Sequence, residues 1–122
     1  MQVYVTKTFR RFQRKERIGD QALRQAVERA EAGLIDADLG QGLIKQRVAR
    51  PGKGRSGGYR TIIAYRSGQR AVFLFGFAKS ALSNIDDATL ARWQAVGSDL
   101  LTASDKAIEA AIADNELKEV LP

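Results

Sequence analysis

The 122-residue sequence contains no cysteine and no histidine. Without cysteine, the chain has no disulfide framework, no thiol nucleophile and no thiolate metal site. Without histidine, any acid–base chemistry has to run without an imidazole. No stretch approaches the roughly 20 apolar residues that a membrane-spanning helix needs, and residues 1–15 contain no long apolar run. We therefore expect a cytoplasmic protein that does not bind a membrane.

Acidic residues are absent from a long central segment. Residues 39–85 carry nine Lys or Arg and no Asp or Glu, a charge of +9 that exceeds the net charge of +6 of the whole chain. Residues 1–38 carry +2, and residues 86–122 carry −5. Because a solvated surface usually mixes both signs, an acid-free segment favours a surface that binds an anionic partner such as nucleic acid. An acidic protein or membrane would also match this charge.

The length suits a single domain spanning residues 1–122. Alternating apolar residues predict strands at residues 2–6, 43–49, 59–65 and 71–78. Helical spacing and capping residues predict helices at residues 8–18, 20–32 and 105–115, and a further helix that begins after Asp86. Short connections between the last three strands indicate an antiparallel meander, with residues 36–42 forming a turn. The fold class is therefore α+β, with two N-terminal helices and an acidic helical extension from about residue 104. We expect the acidic tail to end in a short strand.

The segment AVFLFGFAK, residues 71–79, lacks polar alternation and is therefore predicted to be a central strand that is covered on both faces. Regular alternation predicts that Phe73, Phe75, Phe77 and Lys79 share one face. Lys79 would then emerge at the end of the strand beside a row of aromatic side chains.

Residues 49–60, ARPGKGRSGGYR, combine four glycines with four cationic side chains. A nucleotide phosphate loop is excluded by its context, because a strand follows the glycines in place of a helix. The glycines would instead let the chain approach a polynucleotide backbone while Lys53, Arg55 and Arg60 donate to phosphate oxygens. The alternative is a surface hairpin loop in which the glycines satisfy turn geometry and the cations keep the loop soluble.

The succession GLIKQRVA, GKGRSGGYRTIIAY and VFLFGFAKS, followed by a helix, resembles the RelE/ParE superfamily of bacterial toxins, and within it the HigB-like branch of type II toxin–antitoxin modules. The resemblance spans nearly the whole chain. It implies a RelE-like antiparallel sheet, a cognate helix-turn-helix antitoxin and an mRNA endonuclease that works in the ribosomal A site and contacts ribosomal RNA. It also implies cleavage by the 2′-hydroxyl of the RNA, which needs no metal, cofactor or protein nucleophile.

The resemblance further implies roles for individual residues. Lys53 or Arg55 would act as the base near the 2′-hydroxyl, Arg60 would clamp the scissile phosphate, and Lys79 would act as the acid or as a second phosphate ligand. Tyr59 or Phe77 would stack on a base, although aromatic residues of central strands more often pack in the core. Many relatives carry Tyr or His where this chain offers Phe77 and Lys79, which leaves the identity of the acid open. The residues expected to anchor RNA are Lys45, Arg47 and Arg50, together with the cluster Arg10, Arg11, Arg14 and Lys15.

Two other functions fit the same sequence. A toxin of the ParE type would share the fold and act on DNA gyrase without cleaving RNA. A simple nucleic-acid-binding module would share the charge without any toxicity. The N-terminal cluster also has an alternative interpretation as a solvated helix face, because acidic residues follow it closely.

Overall fold

The computed structural model describes residues 1–50, 54–78 and 85–122, and gives side chains at all of these positions except 54–57. Helices and strands follow one another as β1 (Gln2–Thr6), α1 (Lys7–Lys15), α2 (Asp20–Glu31), β2 (Ala37–Gly40), β3 (Leu43–Arg50), β4 (Gly54–Arg66), β5 (Arg70–Phe77), α3 (Asp87–Thr102), α4 (Asp105–Ala113) and β6 (Leu117–Glu119). None of the helices in these ranges is long and apolar enough to cross a membrane.

Within the described residues the strands form one six-stranded sheet in the order β2-β3-β4-β5-β1-β6. β1 pairs with β5 in parallel, and the other neighbouring strands are antiparallel. The predicted α+β class, the meander β3-β4-β5 and the central position of β5 are therefore confirmed. The predicted short strand near the C-terminus is β6, which pairs with β1 at the edge of the sheet.

One face of the sheet packs against α1 and α2. The predicted apolar stripe of α2 is fully buried there and consists of Leu23, Ala26, Val27 and Ala30. From α1, Phe9 packs on Phe73 of β5, with ring centroids 5.1 Å apart. The chain turns away after α2 at Gly33, whose φ of +85° is readily adopted only by glycine, and the amide of Leu34 closes the helix end by donating to the carbonyl of Arg29.

The other face of the sheet packs against α3 and α4. Two of the three predicted caps are confirmed, because the Asp86 carboxylate accepts from the amide of Thr89 and the Ser104 hydroxyl accepts from the amide of Ala107. The third predicted cap, Asp20, is wrong, because Gly19 is the N-cap of α2 and Asp20 is its first residue. The hydrogen bond from Thr89 lowers the pKa of Asp86. The buried members of this core are Tyr4, Leu43, Ile62, Ala64, Val72, Leu74, Leu101, Ile108 and Leu117.

The predicted common face for the aromatic residues of β5 is wrong. Ile62 of β4 lies opposite Phe75 and Ile63 lies opposite Phe73, so Leu74 is an extra residue that forms a β-bulge. Phe73 packs in the core beneath α1 and α2, whereas Phe75 and Phe77 pack in the core beneath α3. From the bulge onward, the side chains of β5 therefore lie on the face opposite to the one that regular alternation predicts.

The segment predicted as a turn contains a short strand, β2, at the edge of the sheet. A two-residue turn joins it to β3, and both turn residues, Gln41 and Gly42, have positive φ values of 56° and 80°. Such a turn matches the natural twist of paired strands. The turn was therefore predicted too long, because the edge strand inside it carries no apolar alternation.

Candidate nucleic-acid interface

Three neighbouring strands place Arg47, Arg60 and Phe77 side by side. Arg47 of β3 is the register partner of Arg60 of β4, and Arg60 is also the register partner of Phe77 of β5. Residues that lie directly opposite each other share a face, and Ile62, two residues after Arg60, packs beneath α3. Both arginines therefore lie on the α3 face of the sheet.

Lys45 continues the same row. It is the register partner of Ile62 and is partly exposed, while Arg47 is exposed and Arg60 is partly exposed. Among the described residues, no acidic side chain lies within salt-bridge distance of any of these three cations. We refer to Lys45, Arg47 and Arg60 as the cationic row, which is a site for negative charge that the described part of the chain does not neutralise.

Aromatic side chains border the cationic row on the β5 side. The Trp93 ring of α3 lies 4.7 Å from the Phe75 ring and 5.9 Å from the Phe77 ring, measured between centroids. Phe77 and Trp93 both remain partly exposed. The sequence placed Trp93 on the apolar face of its helix but gave no sign that it meets Phe77, because that contact depends on the bulge in β5 and on the path of α3.

Tyr59 lies on the opposite face of the sheet, in the core beneath α1 and α2, and the exposed Arg50 lies over its ring. The Tyr59 ring packs edge-on against Phe12 with centroids 5.4 Å apart, and the Arg50 guanidinium carbon lies 5.7 Å from the Tyr59 centroid. The Tyr59 side chain is only 4% exposed, and this burial raises its pKa. A base would have to displace Phe12 or Arg50 to stack on Tyr59, so the structure does not bring these two residues together with the cationic row.

Three of the four predicted catalytic side chains lie outside the described part of the structure. Lys53 and Lys79 fall outside the described residues, and Arg55 belongs to residues 54–57 of β4, whose side chains are not described. The residues that flank positions 51–53 pair across the sheet, with Arg50 opposite Gly54. The glycine-rich segment therefore leads into a strand, as predicted, and that strand carries Arg60.

The N-terminal cluster lies on a different side of the molecule from the cationic row. Arg10, Arg11, Arg14 and Lys15 all belong to α1, which packs on the face of the sheet opposite α3. The structure therefore separates the residues predicted to bind RNA into two surfaces.

The acidic C-terminal region lies at the far edge of the sheet from the cationic row. α4 packs against β6, and Ile108 of α4 is buried in the same core as Tyr4 of β1. Burial and the nearby carboxylate of Glu119 raise the pKa of Tyr4. Because β5 and β1 separate β4 from β6, the acidic helix does not cover Arg60.

Comparison with known proteins identifies the family of this chain. A family model described as the RelE toxin of the RelE/RelB toxin–antitoxin system matches residues 1–120. No curated protein matches the chain significantly. The family model covers both halves of the sheet, the cationic row and the C-terminal helices, and its description implies an antitoxin partner. The chain therefore belongs to the RelE family of toxins from toxin–antitoxin systems.

Proposed function

We propose that this toxin belongs to the HigB-like branch and is a ribosome-dependent endonuclease that cleaves mRNA in the cytoplasm. The observation that carries this proposal is the placement of Arg47 opposite Arg60, beside Phe77, with no described carboxylate within salt-bridge distance of either guanidinium. The Asp36 carboxylate lies near Arg47 but accepts from its backbone amide. Two guanidinium groups at adjacent positions suit a phosphate, because each presents a planar fork of donors to its oxygens. A partly exposed aromatic ring beside them suits a nucleotide base.

The proposed reaction uses the RNA's own nucleophile. A base removes the proton from a 2′-hydroxyl, and the 2′-oxygen attacks the adjacent phosphorus. The bond to the 5′-oxygen then breaks, and an acid donates a proton to that oxygen. The products are a cyclic phosphate and a 5′-hydroxyl. Negative charge grows on the phosphate oxygens during this step, and fixed cations stabilise it.

Most of the predicted site residues have a role in this scheme. Arg60 binds the scissile phosphate, and Arg47 and Lys45 hold the neighbouring backbone. Lys53 is the proposed base, with Arg55 as the alternative, and Lys79 is the proposed acid or second phosphate ligand. Phe77 stacks on a base, with Trp93 packed behind it. Tyr59 and Arg50 are left outside the scheme because they lie on the other face of the sheet.

Dependence on the ribosome is proposed because the cationic row is weakly held by the protein itself. Arg60 Nη1 makes one long hydrogen bond, 3.4 Å, to the carbonyl oxygen of Gly58, and no described carboxylate orients the guanidinium. Catalysis depends on holding reacting groups in a productive geometry, so the ribosome would supply the position that the free enzyme lacks. Free RNA should therefore be cleaved much more slowly than mRNA on a translating ribosome.

The proposed antitoxin is a helix-turn-helix protein that covers the cationic surface. An acidic or apolar segment of the antitoxin would neutralise the row and exclude the ribosome. This part of the proposal is tested by asking whether binding of the antitoxin protects Arg47 and Arg60 from chemical modification of arginine.

The main experiment combines induced expression in bacteria with primer extension on translated mRNA. We expect growth arrest and new mRNA ends for the native chain, and loss of both for Arg60→Ala and Lys79→Ala. Arg66→Ala is the matched control, because Arg66 is an exposed arginine at the other end of the same strand. If both test variants remain fully toxic, the site assignment is wrong. Growth arrest with DNA breaks and intact mRNA would instead identify a gyrase poison of the ParE type.

A further inference from the structure

Four cationic side chains from three parts of the chain surround one shallow cavity of about 200 Å³. Arg10 and Arg14 come from α1, Arg17 from the connection to α2, and Lys118 from β6. This cavity lies on the face of the sheet that α1 covers, because Lys118 is the register partner of Val5, which is buried in the core beneath α1. The site is therefore separate from the cationic row.

None of the four cations is neutralised by the described part of the chain. No carboxylate there lies within salt-bridge distance of Arg10, Arg14, Arg17 or Lys118. Gln13, which also lines the cavity, contacts a carboxylate, because its side-chain amide donates to Asp20 Oδ1 at 2.7 Å. Four like charges around one small space repel each other, and an anion in the cavity would relieve that repulsion.

The backbone around the cavity is held in place by hydrogen bonds. α1 ends in a closed turn in which the amide of Ile18 donates to the carbonyl of Gln13 and the amide of Arg17 donates to the carbonyl of Arg14. Gln13 Nε2 also donates to the carbonyl of Ile18 at 3.0 Å. These bonds satisfy the carbonyl groups at the helix end. They fix the positions from which Arg14 and Arg17 reach the cavity.

The cavity also divides the N-terminal cluster into two pairs. Arg10 and Arg14, which are four residues apart and lie on one side of α1, line the cavity, whereas Arg11 and Lys15 do not. A solvated helix face would not need such a division. Arg11 and Lys15, which have the same helix and charge, therefore provide an internal control.

We propose that Arg10, Arg14, Arg17 and Lys118 bind a phosphate group of an RNA backbone at a site distinct from the cleavage site. Several guanidinium forks around one space suit a phosphate, which offers more acceptor oxygens than a carboxylate. β5 and β1 lie between β4 and β6, so the two sites are about 14 Å apart along the sheet and lie on opposite faces of it. One nucleotide does not reach both sites. The proposal rests on the proposed function only in taking RNA as the partner.

The test measures the affinity of the full chain for a 2′-O-methyl RNA oligonucleotide, which lacks the hydroxyl needed for cleavage. The affinity is measured at several salt concentrations for the double variants Arg10→Gln/Arg14→Gln and Arg11→Gln/Lys15→Gln. We expect the first pair to weaken binding about 10-fold and to reduce the salt slope by about 0.7, the value for one phosphate contact on a single strand. The second pair removes the same charge, and we expect a change of less than about 2-fold.

Lys118→Gln provides a second arm, because Lys118 comes from a different element and is exposed, so its replacement leaves the helix intact. We expect it to weaken RNA binding in the same direction as Arg10→Gln/Arg14→Gln. Circular dichroism and melting temperature confirm that each variant is folded.

Three results would overturn the proposal. Equal losses for the two double variants would show a general electrostatic field with no discrete site. Binding of a polyglutamate peptide that depends on Arg10 and Arg14, with unchanged RNA binding, would identify an acidic protein partner. Binding of inorganic phosphate that depends on Arg10 and Arg14, with unchanged RNA binding, would identify a site for free phosphate.

The outcome is separable from that of the proposed cleavage. Because the oligonucleotide cannot be cut, loss of its binding in Arg10→Gln/Arg14→Gln supports the phosphate site even if mRNA cleavage is never observed. Conversely, cleavage that depends on Arg60 stands if this cavity binds nothing.

Discussion

Arg47 lies directly opposite Arg60 across β3 and β4, so two guanidinium groups of the same charge occupy one cross-strand position. Like charges at such a position destabilise a sheet. No carboxylate in the described part of the chain forms an ion pair with either guanidinium. A break in a stability rule is typical of a functional site, and here the unfavourable pair marks the cationic row. The other opposed arginines, Arg66 and Arg70, differ because Arg70 forms an ion pair with Asp105.

Replacing one member of this pair should make the protein more stable and less active. We expect Arg47→Thr to raise the free energy of unfolding by about 0.2–1 kcal/mol, because it removes the repulsion and threonine favours strands. The same variant should lower toxicity by removing a phosphate contact. Urea denaturation measures the first effect, and growth after induction measures the second.

Lys45→Thr is the control for that gain in stability. Lys45 belongs to the same strand and face, but its register partner is the apolar Ile62. Lys45→Thr therefore gains strand propensity but relieves no repulsion between opposed cations. Equal stabilisation by the two variants would contradict the idea that the arginine pair is strained.

Arg70 should be essential for stability in a way that Arg66 is not. Arg70 is 7% exposed, and its Nη1 donates to the carbonyls of Leu100 and Ala103 at 2.8 and 2.9 Å, which closes the C-terminal end of α3. We expect Arg70→Ala to lower the free energy of unfolding by about 3 kcal/mol, because two carbonyls lose their donor. Chemical denaturation checks this value.

Two variants separate the ion pair of Arg70 from its hydrogen bonds to the end of α3. Asp105 pairs with Arg70 Nη2 at 3.3 Å, but its side chain is 83% exposed. We therefore expect Asp105→Asn to cost less than about 1 kcal/mol. Arg66→Ala, which removes an exposed cation, should also have little effect. A large loss for Asp105→Asn would mean that the ion pair, and not the cap of α3, is the main contribution.

Gly76 should be needed because Phe12 fills the space beside it. A Cβ at Gly76 would lie 2.3 Å from Phe12 Cδ2, which is far inside contact distance. We expect Gly76→Ala to lower the free energy of unfolding by about 1–3 kcal/mol, as is usual for overpacking. In a Phe12→Ala background the same change should cost much less. A double-mutant cycle measures this coupling, and additive losses would disprove the clash.

Glu31 should make stability depend on pH in the acidic range. Its carboxylate accepts hydrogen bonds from the Tyr65 hydroxyl, from Ser67 Oγ at 3.1 Å and from the amide of Gly68 at 3.1 Å. These bonds, chiefly the one from Tyr65, lower the pKa of Glu31. A lowered pKa in the folded state means that the stabilisation is present above the unfolded pKa and is lost as the pH falls through the folded pKa.

We therefore expect Glu31→Gln to be less stable than the native chain at pH 7, and the difference to disappear at a pH below the folded pKa. The loss at pH 7 should stay below about 1 kcal/mol, because the carboxylate is exposed and solvent screens it. Glu28→Gln on the same helix is the control. Denaturation at a series of pH values tests the prediction, and a difference that persists in acid would contradict it.

Local sequence signals predicted most of the elements because each depends on a short pattern. The stripe of α2, the caps Asp86 and Ser104 and the run of β5 are all readable within a few residues. The position of β1 between β5 and β6 was not predicted, since it depends on contacts between residues about 70 and 115 positions apart. Lys118 was missed as a binding residue for the same reason.

The site was predicted in part. Lys45, Arg47 and Arg60 do lie together, because regular alternation holds along β3 and β4 as far as those residues. Arg50 does not join them, since alternation along β3 places Arg50 on the face of Val48, away from Arg47. Periodicity assumes an unbroken ladder, and Phe73 was misplaced relative to Phe75 and Phe77 because the bulge at Leu74 breaks that ladder.

The extra residue in β5 determines which aromatic ring the cationic row receives. The Thr6 hydroxyl donates to the carbonyl of Leu74 at 3.0 Å, which ties the irregular point to the start of α1. If β5 kept this sequence but paired regularly beyond Phe73, Gly76 and not Phe77 would lie opposite Arg60, and the arginines would border a bare backbone. The chemistry available to this toxin at that edge thus depends on a single inserted position in an otherwise regular strand.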